Sequence, residues 1–150
     1  MKKKIFFILL SVLWMVIIFS FSQEPAEESG ETSGRLIILI GELFNVSDKE
    51  LFALRYEVIL RKCAHVTEYM ILAAFLCGAS YRKNRSLGIN MALPVLISAL
   101  YACSDEFHQL YVPGRDGNIT DVFIDTAGAA VSTALITFIR VGINRKNKER

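Results

Sequence analysis

RKCAHVTEYMILAAFLCGAS, residues 61–80, decides how this chain is read. From Cys63 to Ser80 it is apolar enough to sit in a bilayer, yet Arg61, Lys62, His65 and Glu68 crowd its first eight residues. An ionisable side chain within a membrane span costs about 2.5–3.5 kcal/mol on insertion scales unless it is paired or faces a polar cavity, so such a cluster is a functional hypothesis by default. The remaining segments must supply its partners.

Working outward, three further stretches match it in length and apolarity. About 20 helical residues cross roughly 30 Å of hydrocarbon, and the stretches at 5–22, 63–80, 89–108 and 122–143 meet that test. The composition agrees: 53% of residues are hydrophobic and the mean hydropathy is +0.38, above the roughly 45–50% apolar content of soluble domains. The predicted fold is an all-α integral membrane protein, a single domain over residues 1–150 with four transmembrane helices.

Charge sets the expected orientation. Ten cations (Lys2 to Lys4, Arg82, Lys83, Arg85, Arg145, Lys146, Lys148 and Arg150) fall on one side of four alternating spans. The other side holds Arg35, Lys49, Arg55 and Arg115, with eight acidic residues between Gln23 and Leu60. The positive-inside rule then predicts a multi-pass protein of the cytoplasmic membrane with both termini cytoplasmic. Lys2 to Lys4, an apolar core and the small residues Ser20 and Ser22 also fit a cleaved secretory signal. Against that, cleavage would leave three spans and strand the termini on opposite sides.

Between the first two spans, Gln23 to Gly34 (QEPAEESGETSG) reads as an exposed acidic linker. Arg35 to Phe44, with the run LIILI, reads as an outer interfacial helix. Ser47 and Glu50 have capping-box spacing, so another outer helix is expected from about Asp48 toward Leu60, continuous with the second span or separate from it. Pro94 is a candidate kink in the third span. Val112 to Asn118 (VPGRDGN) is a tight outer turn. Cys63, Cys77 and Cys103 lie in spans without a CxxC or zinc pattern and read as buried free thiols, although a Cys63–Cys103 disulfide is conceivable.

Helical spacing then gathers the polar residues. Arg61, His65 and Glu68, four and three residues apart, share one helix face. The third span ends in SDEFHQ, which puts Asp105, His108 and Gln109 on one face with Tyr101 a turn away and Glu106 beside them. The fourth begins with Asp121 and Asp125, and Gly128 and Ser132 continue that stripe. All of these lie toward the same membrane face, and Arg115 in the connecting turn can reach over them. In the plain structural reading, Arg61 and Lys62 snorkel to headgroups while Asp105, Glu106 and Asp125 are ion-pair partners of Arg61 and Arg115. The functional reading better explains why both histidines and every acid assigned to a span gather at one end.

Four motifs in order carry a resemblance: FSxxPAEESxxTS at 21–33, RKxAHxxEY at 61–69, SDExHQxYVPGRxG at 104–117 and DxxxDTAGA at 121–129. Together they resemble the VanZ-like family of small membrane proteins over nearly the whole chain. The resemblance implies a short helical bundle in the cytoplasmic membrane. It also implies an association with resistance to teicoplanin-type glycopeptides, through the family's namesake. One departure is Asp125, where many relatives carry Asn.

Two functions from different classes follow. In the first, an enzyme acts on a lipid-linked or cell-envelope substrate at the outer face. Arg61, Lys62 and Arg115 hold its phosphate, and His65 or His108 is the general base, oriented by Glu68 or Asp105. Glu106, Gln109, Asp121 and Asp125 complete the polar wall. In the second, the same cavity captures an anionic lipid or envelope ligand without chemistry. A transporter is disfavoured because the cytoplasmic halves of the spans are nearly pure hydrocarbon. A metal held by both histidines and carboxylates would suit zinc or manganese, but no HExxH spacing supports one, and the expected site holds none. No Gly-rich phosphate loop or GxSxG elbow is present, so nucleotide, nucleic acid and ordinary serine hydrolysis are not expected, and no motif names a cofactor.

Overall fold

The computed structural model describes residues 2–146, and of residues 49–51, 53–55 and 145 the backbone alone. The described chain is all helical: α1 Lys2–Ser22, α2 Ala26–Leu43, α3 Lys49–Ser80, α4 Leu87–Gln109 and α5 Ile119–Lys146. Four stretches are long and apolar enough to cross a membrane: Lys2–Ser22, Tyr56–Ser80, Leu87–Gln109 and Ile119–Asn144.

Exposure is inverted relative to a soluble bundle. Leu9, Leu13, Leu100, Phe123, Leu135 and Phe138 face outward, while Ser98, Ser132, Thr133 and Thr137 are buried between helices. In lipid there is no hydrophobic gain from burying Leu, so small and hydroxylated residues take the seams, where backbones approach closely. Gly128 marks the α3–α5 seam: a Cβ there would lie 2.9 Å from Val66 Cγ1 and 3.1 Å from the Val66 carbonyl oxygen.

α3 is the hub and packs against the other four helices. Side-chain donors tie it and its neighbours together across the seams. Trp14 Nε1 donates to the Glu68 carbonyl at 2.9 Å, Ser132 Oγ to that of Met70 at 2.8 Å, and Tyr101 OH to that of Met15 at 2.6 Å. α1 is therefore built into the bundle. Pro94 is buried inside α4, which continues through it to Gln109.

Two expectations need correcting. Gln23 to Gly34 is not a linker, because α2 already starts at Ala26, behind Pro25 and with Glu27 and Glu28 in its first turn. Acidic side chains suit the positive end of the helix dipole, and proline suits a helix start. The Cys63 and Cys103 thiols are free but exposed, and only Cys77 is buried.

α2 ends in a Schellman turn: Val46 N–H bonds to the Gly41 carbonyl at 2.9 Å and Asn45 N–H to that of Glu42 at 3.2 Å, with Asn45 at φ 54°. This turn folds α2 back on α3, whose 32 residues form one helix, so the stretch from Asp48 and the second span are continuous. At ~1.5 Å per residue α3 is about 48 Å long, longer than the roughly 30 Å of a hydrocarbon core. The capping-box residue Glu50 lies outside the side chains described.

Candidate functional site

The polar ends of α3, α4 and α5 converge under α2. A cavity of about 270 Å³ is lined by Arg61, Lys62, His65, Glu106, Gln109, Arg115, Asp116 and Asp121, with Val58 and Gly114. A second, also about 270 Å³, is lined by Phe21, Glu24, Ser29, Thr32, Ser33, Arg61, Ala64, His65, Glu68 and Arg115. Arg61, His65 and Arg115 belong to both, so they form the shared wall of one bipartite site.

Each charge on this wall has a specific environment. Lys62 is paired with Asp121 of α5, which neutralises both. Arg61 reaches back one turn to Glu57 at 2.6 Å, but its Nε is buried with no partner. Arg115 Nε donates to the Glu24 carbonyl at 2.8 Å, and another of its nitrogens to the Phe21 carbonyl at 3.2 Å. It therefore caps the end of α1 with bonds to neutral acceptors. Burial and the adjacent Arg61 guanidinium pull Arg115 below the ordinary arginine value, although a guanidinium stays charged at any physiological pH. Two cations are thus held side by side on one wall.

His65 Nδ1 lies 3.5 Å from Glu68 Oε2, within ion-pair reach at the long limit of a hydrogen bond, and neither buried atom has a closer partner. Asp105 and Asp125, 3% and 1% exposed, lie within electrostatic reach of His65. They form a buried floor with Tyr69 and with Ser22, which lies against Asp105; one carboxylate oxygen of Asp125 and the Tyr69 hydroxyl have no hydrogen-bond partner. Asp105 Oδ2 accepts from Gln109 at 3.3 Å. Unmet buried polar groups cost about 1–3 kcal/mol each, and their concentration here marks a place where packing is not the sole constraint.

The structure therefore brings Arg61, Lys62, His65, Glu68, Glu106, Gln109, Arg115 and Asp121 to the cavities and sets Asp105 and Asp125 in the protein beneath. His108 lines neither cavity. Its ring stacks on Phe19 of α1, with centroids 4.6 Å apart. Glu106 also has structural duty: its Oε2 accepts from Asn118 N–H at 2.8 Å, fixing the turn before α5. Among the described residues no group of three or more His, Cys, Asp and Glu side chains is arranged to hold a metal ion.

Sequence reasoning missed the α2 hydroxyls Ser29, Thr32 and Ser33, because that stretch was read as linker. The available signal was spacing: positions 29, 32 and 33 are i, i+3 and i+4, one face of a helix. Gly30 on the same helix faces α3, where a Cβ would come within 3.0 Å of Glu57 Oε1.

No curated protein and no solved structure matches the chain. The VanZ/LLP1 family model matches residues 7–140, which takes in α2, α3 and α4 and most of α1 and α5, so the chain belongs to the VanZ/LLP1 family of membrane proteins.

Proposed function

We propose that this protein binds an anionic lipid-linked or cell-envelope ligand between Arg61 and Arg115, at the outer face of the cytoplasmic membrane, and acts on it by proton transfer through His65. The observation that carries this reading is the shared wall: two neighbouring guanidiniums and one imidazole between two cavities. Side-by-side cations in a partly desolvated site repel each other, and an anion bridging them would gain charge-assisted hydrogen bonds from both. Glu68 is positioned to turn His65 and stabilise its charged form, as a general base requires. Lys62 and Arg61 are both paired, with Asp121 and Glu57, but Arg61 keeps a buried Nε with no partner, so Lys62 contributes less than the sequence suggests.

The outer location rests on the ten-cation asymmetry and the positive-inside rule. It predicts that Glu28→Cys, in a background with the three native cysteines replaced, reacts with a membrane-impermeant thiol reagent on intact cells. Labelling only after lysis would reverse the orientation.

Capture without chemistry is the second reading, favoured by the long His65–Glu68 separation of 3.5 Å. His65→Gln separates the two. Under catalysis it should remove a general-base contribution of about 10²–10⁴-fold and abolish the phenotype. The measurement is resistance to a teicoplanin-type antibiotic, or another envelope phenotype, at matched membrane levels of each variant. Full activity of His65→Gln, with loss in Arg115→Ala, would leave capture as the function.

A further inference from the structure

A third hollow, about 200 Å³, lies on the flank of the bundle between the polar ends of α4 and α5. Its walls are mostly apolar, with Cys103, Phe107, Leu110, Ile119 and Val122 among them. Phe107, Leu110 and Ile119 are 58–66% exposed on the surface that faces the hydrocarbon or its edge. Glu106 belongs both to this slot and to the first cavity, so the two meet at the α4–α5 seam.

Three hollows thus lie in sequence, joined by common walls. The slot is apolar. The middle cavity has Arg61 and Arg115, the cations not neutralised across a seam, on its far wall. The last lies under α2, where Ser29, Thr32 and Ser33 face Glu24 and Glu68. Hydroxyls and carboxylates beside one another can both donate to and accept from a partner's hydroxyls, whereas Glu24 and Glu68, opposite the Arg61 and Arg115 wall, would oppose a second phosphate.

We infer that the ligand is a phosphodiester lipid with a hydroxylated head: tail in the α4–α5 slot, phosphate against Arg61 and Arg115, head under α2. The inference rests on the anionic-site reading above and narrows it to one arrangement of three chemical parts. A tail-less phosphate leaves the slot empty. A lipid phosphomonoester leaves the hydroxyl cavity empty and puts its second charge near Glu24 and Glu68.

The test uses the purified full chain in a neutral detergent. Binding is measured for dioctanoyl phosphatidylglycerol, which has all three parts. Dioctanoyl phosphatidic acid lacks the head, glycerophosphoglycerol, still a phosphodiester, lacks the tails, and dioctanoyl phosphatidylcholine serves as the zwitterionic control. Phosphatidylglycerol should bind about 10-fold tighter than phosphatidic acid, the value of one or two net hydrogen bonds, and glycerophosphoglycerol should bind weakest of the three anions. Thr32→Val should bring phosphatidylglycerol down to the affinity of phosphatidic acid without changing the latter.

Equal affinities for the two anionic lipids in the unmodified protein would overturn the three-part ligand while leaving the anionic site intact. A preference that survives in a Ser29→Ala, Thr32→Val, Ser33→Ala triple variant would overturn the placement of the head under α2. Should neither anionic lipid exceed phosphatidylcholine, both the inference and the anionic-site reading fall. An elution profile matching the unmodified protein is the control that each variant is folded.

Discussion

The two ends of this bundle close their loops by the same device and differ in what they spend on it. At the basic end the turn between α3 and α4 is organised by Asn90, 4% exposed, whose Nδ2 donates to the Arg82 carbonyl at 2.9 Å and the Arg85 carbonyl at 3.3 Å while its Oδ1 accepts from Arg82 N–H at 3.1 Å. At the polar end the turn between α4 and α5 is tied down by Arg115, which also donates to two backbone carbonyls. A neutral amide suffices for the first closure. The second uses a guanidinium, half-buried and beside another guanidinium, where any long neutral donor would have closed the turn. Of the two loop closures, only that at the polar end uses a charged group.

The same contrast holds for other charges. Among the described residues Arg82, Lys83 and Arg85 form no ion pair and lie on a loop, as cations at a headgroup boundary do. Arg140, nearer that end, is spent on the Cys77 carbonyl at 2.8 Å and the Tyr81 ring. At the polar end three acids of α4 and α5 lie inside the bundle, Glu106 and the almost wholly buried Asp105 and Asp125.

The sharpest way to break this contrast is to exchange the two clamps' chemistry. Arg115→Gln keeps an amide donor near the α1 terminus and removes the charge. It should lower affinity for an anionic lipid by about 10–100-fold, the worth of a charge-assisted hydrogen bond. Asn90→Leu should do the reverse. It leaves two carbonyls and one amide without their partner, costing about 1–3 kcal/mol of stability, with ligand affinity unchanged. Binding and denaturant unfolding of both variants in one detergent give the comparison. If Asn90→Leu costs as much affinity as Arg115→Gln, the ends are not functionally separate.

How much of this was legible beforehand follows from the kind of information each feature needs. The spans were legible because hydropathy is a local sum: residues 5–22, 89–108 and 122–143 fall within α1, α4 and α5. The shared face of Arg61, His65 and Glu68 was legible because intrahelical spacing fixes it. Partners across a seam were not, since they depend on how one helix is rotated against another. Lys62 meeting Asp121, Arg115 turning to α1 carbonyls and His108 turning to Phe19 are all of that kind. The first half of α2 was hidden differently: Gly30 and Gly34 look like breakers in isolation, yet at Gly30 the close approach of Glu57 leaves little space for a larger residue.

A second prediction addresses what joins the two ends. The α3–α5 seam runs between them, and at Gly128 an added Cβ would lie 3.1 Å from the Val66 carbonyl oxygen. Gly128→Val would drive a branched side chain against the Val66 carbonyl and should destabilise the fold by about 1–3 kcal/mol. Val66 follows His65, so ligand affinity should fall too, in contrast to Asn90→Leu. Retained affinity alongside lost stability would show that the His65 wall does not depend on this seam.

The smallest expected effect comes from a tie outside the site. Tyr101 OH donates to the Met15 carbonyl at 2.6 Å, linking α4 to α1, two helices that otherwise touch little. Its geometry suggests strength, but Met15 lies within a helix whose carbonyls already accept from the residue four positions on, so Tyr101→Phe abandons no backbone acceptor. Hydrogen bonds between membrane helices average about 0.6 kcal/mol, because the unfolded chain in the bilayer finds other partners. Tyr101→Phe should therefore shift stability by less than about 1 kcal/mol and leave lipid affinity unchanged. A loss as large as that from Gly128→Val would mean that α1 is held mainly by this one bond, and that the polar end depends on α1's placement more than on the α3–α5 seam.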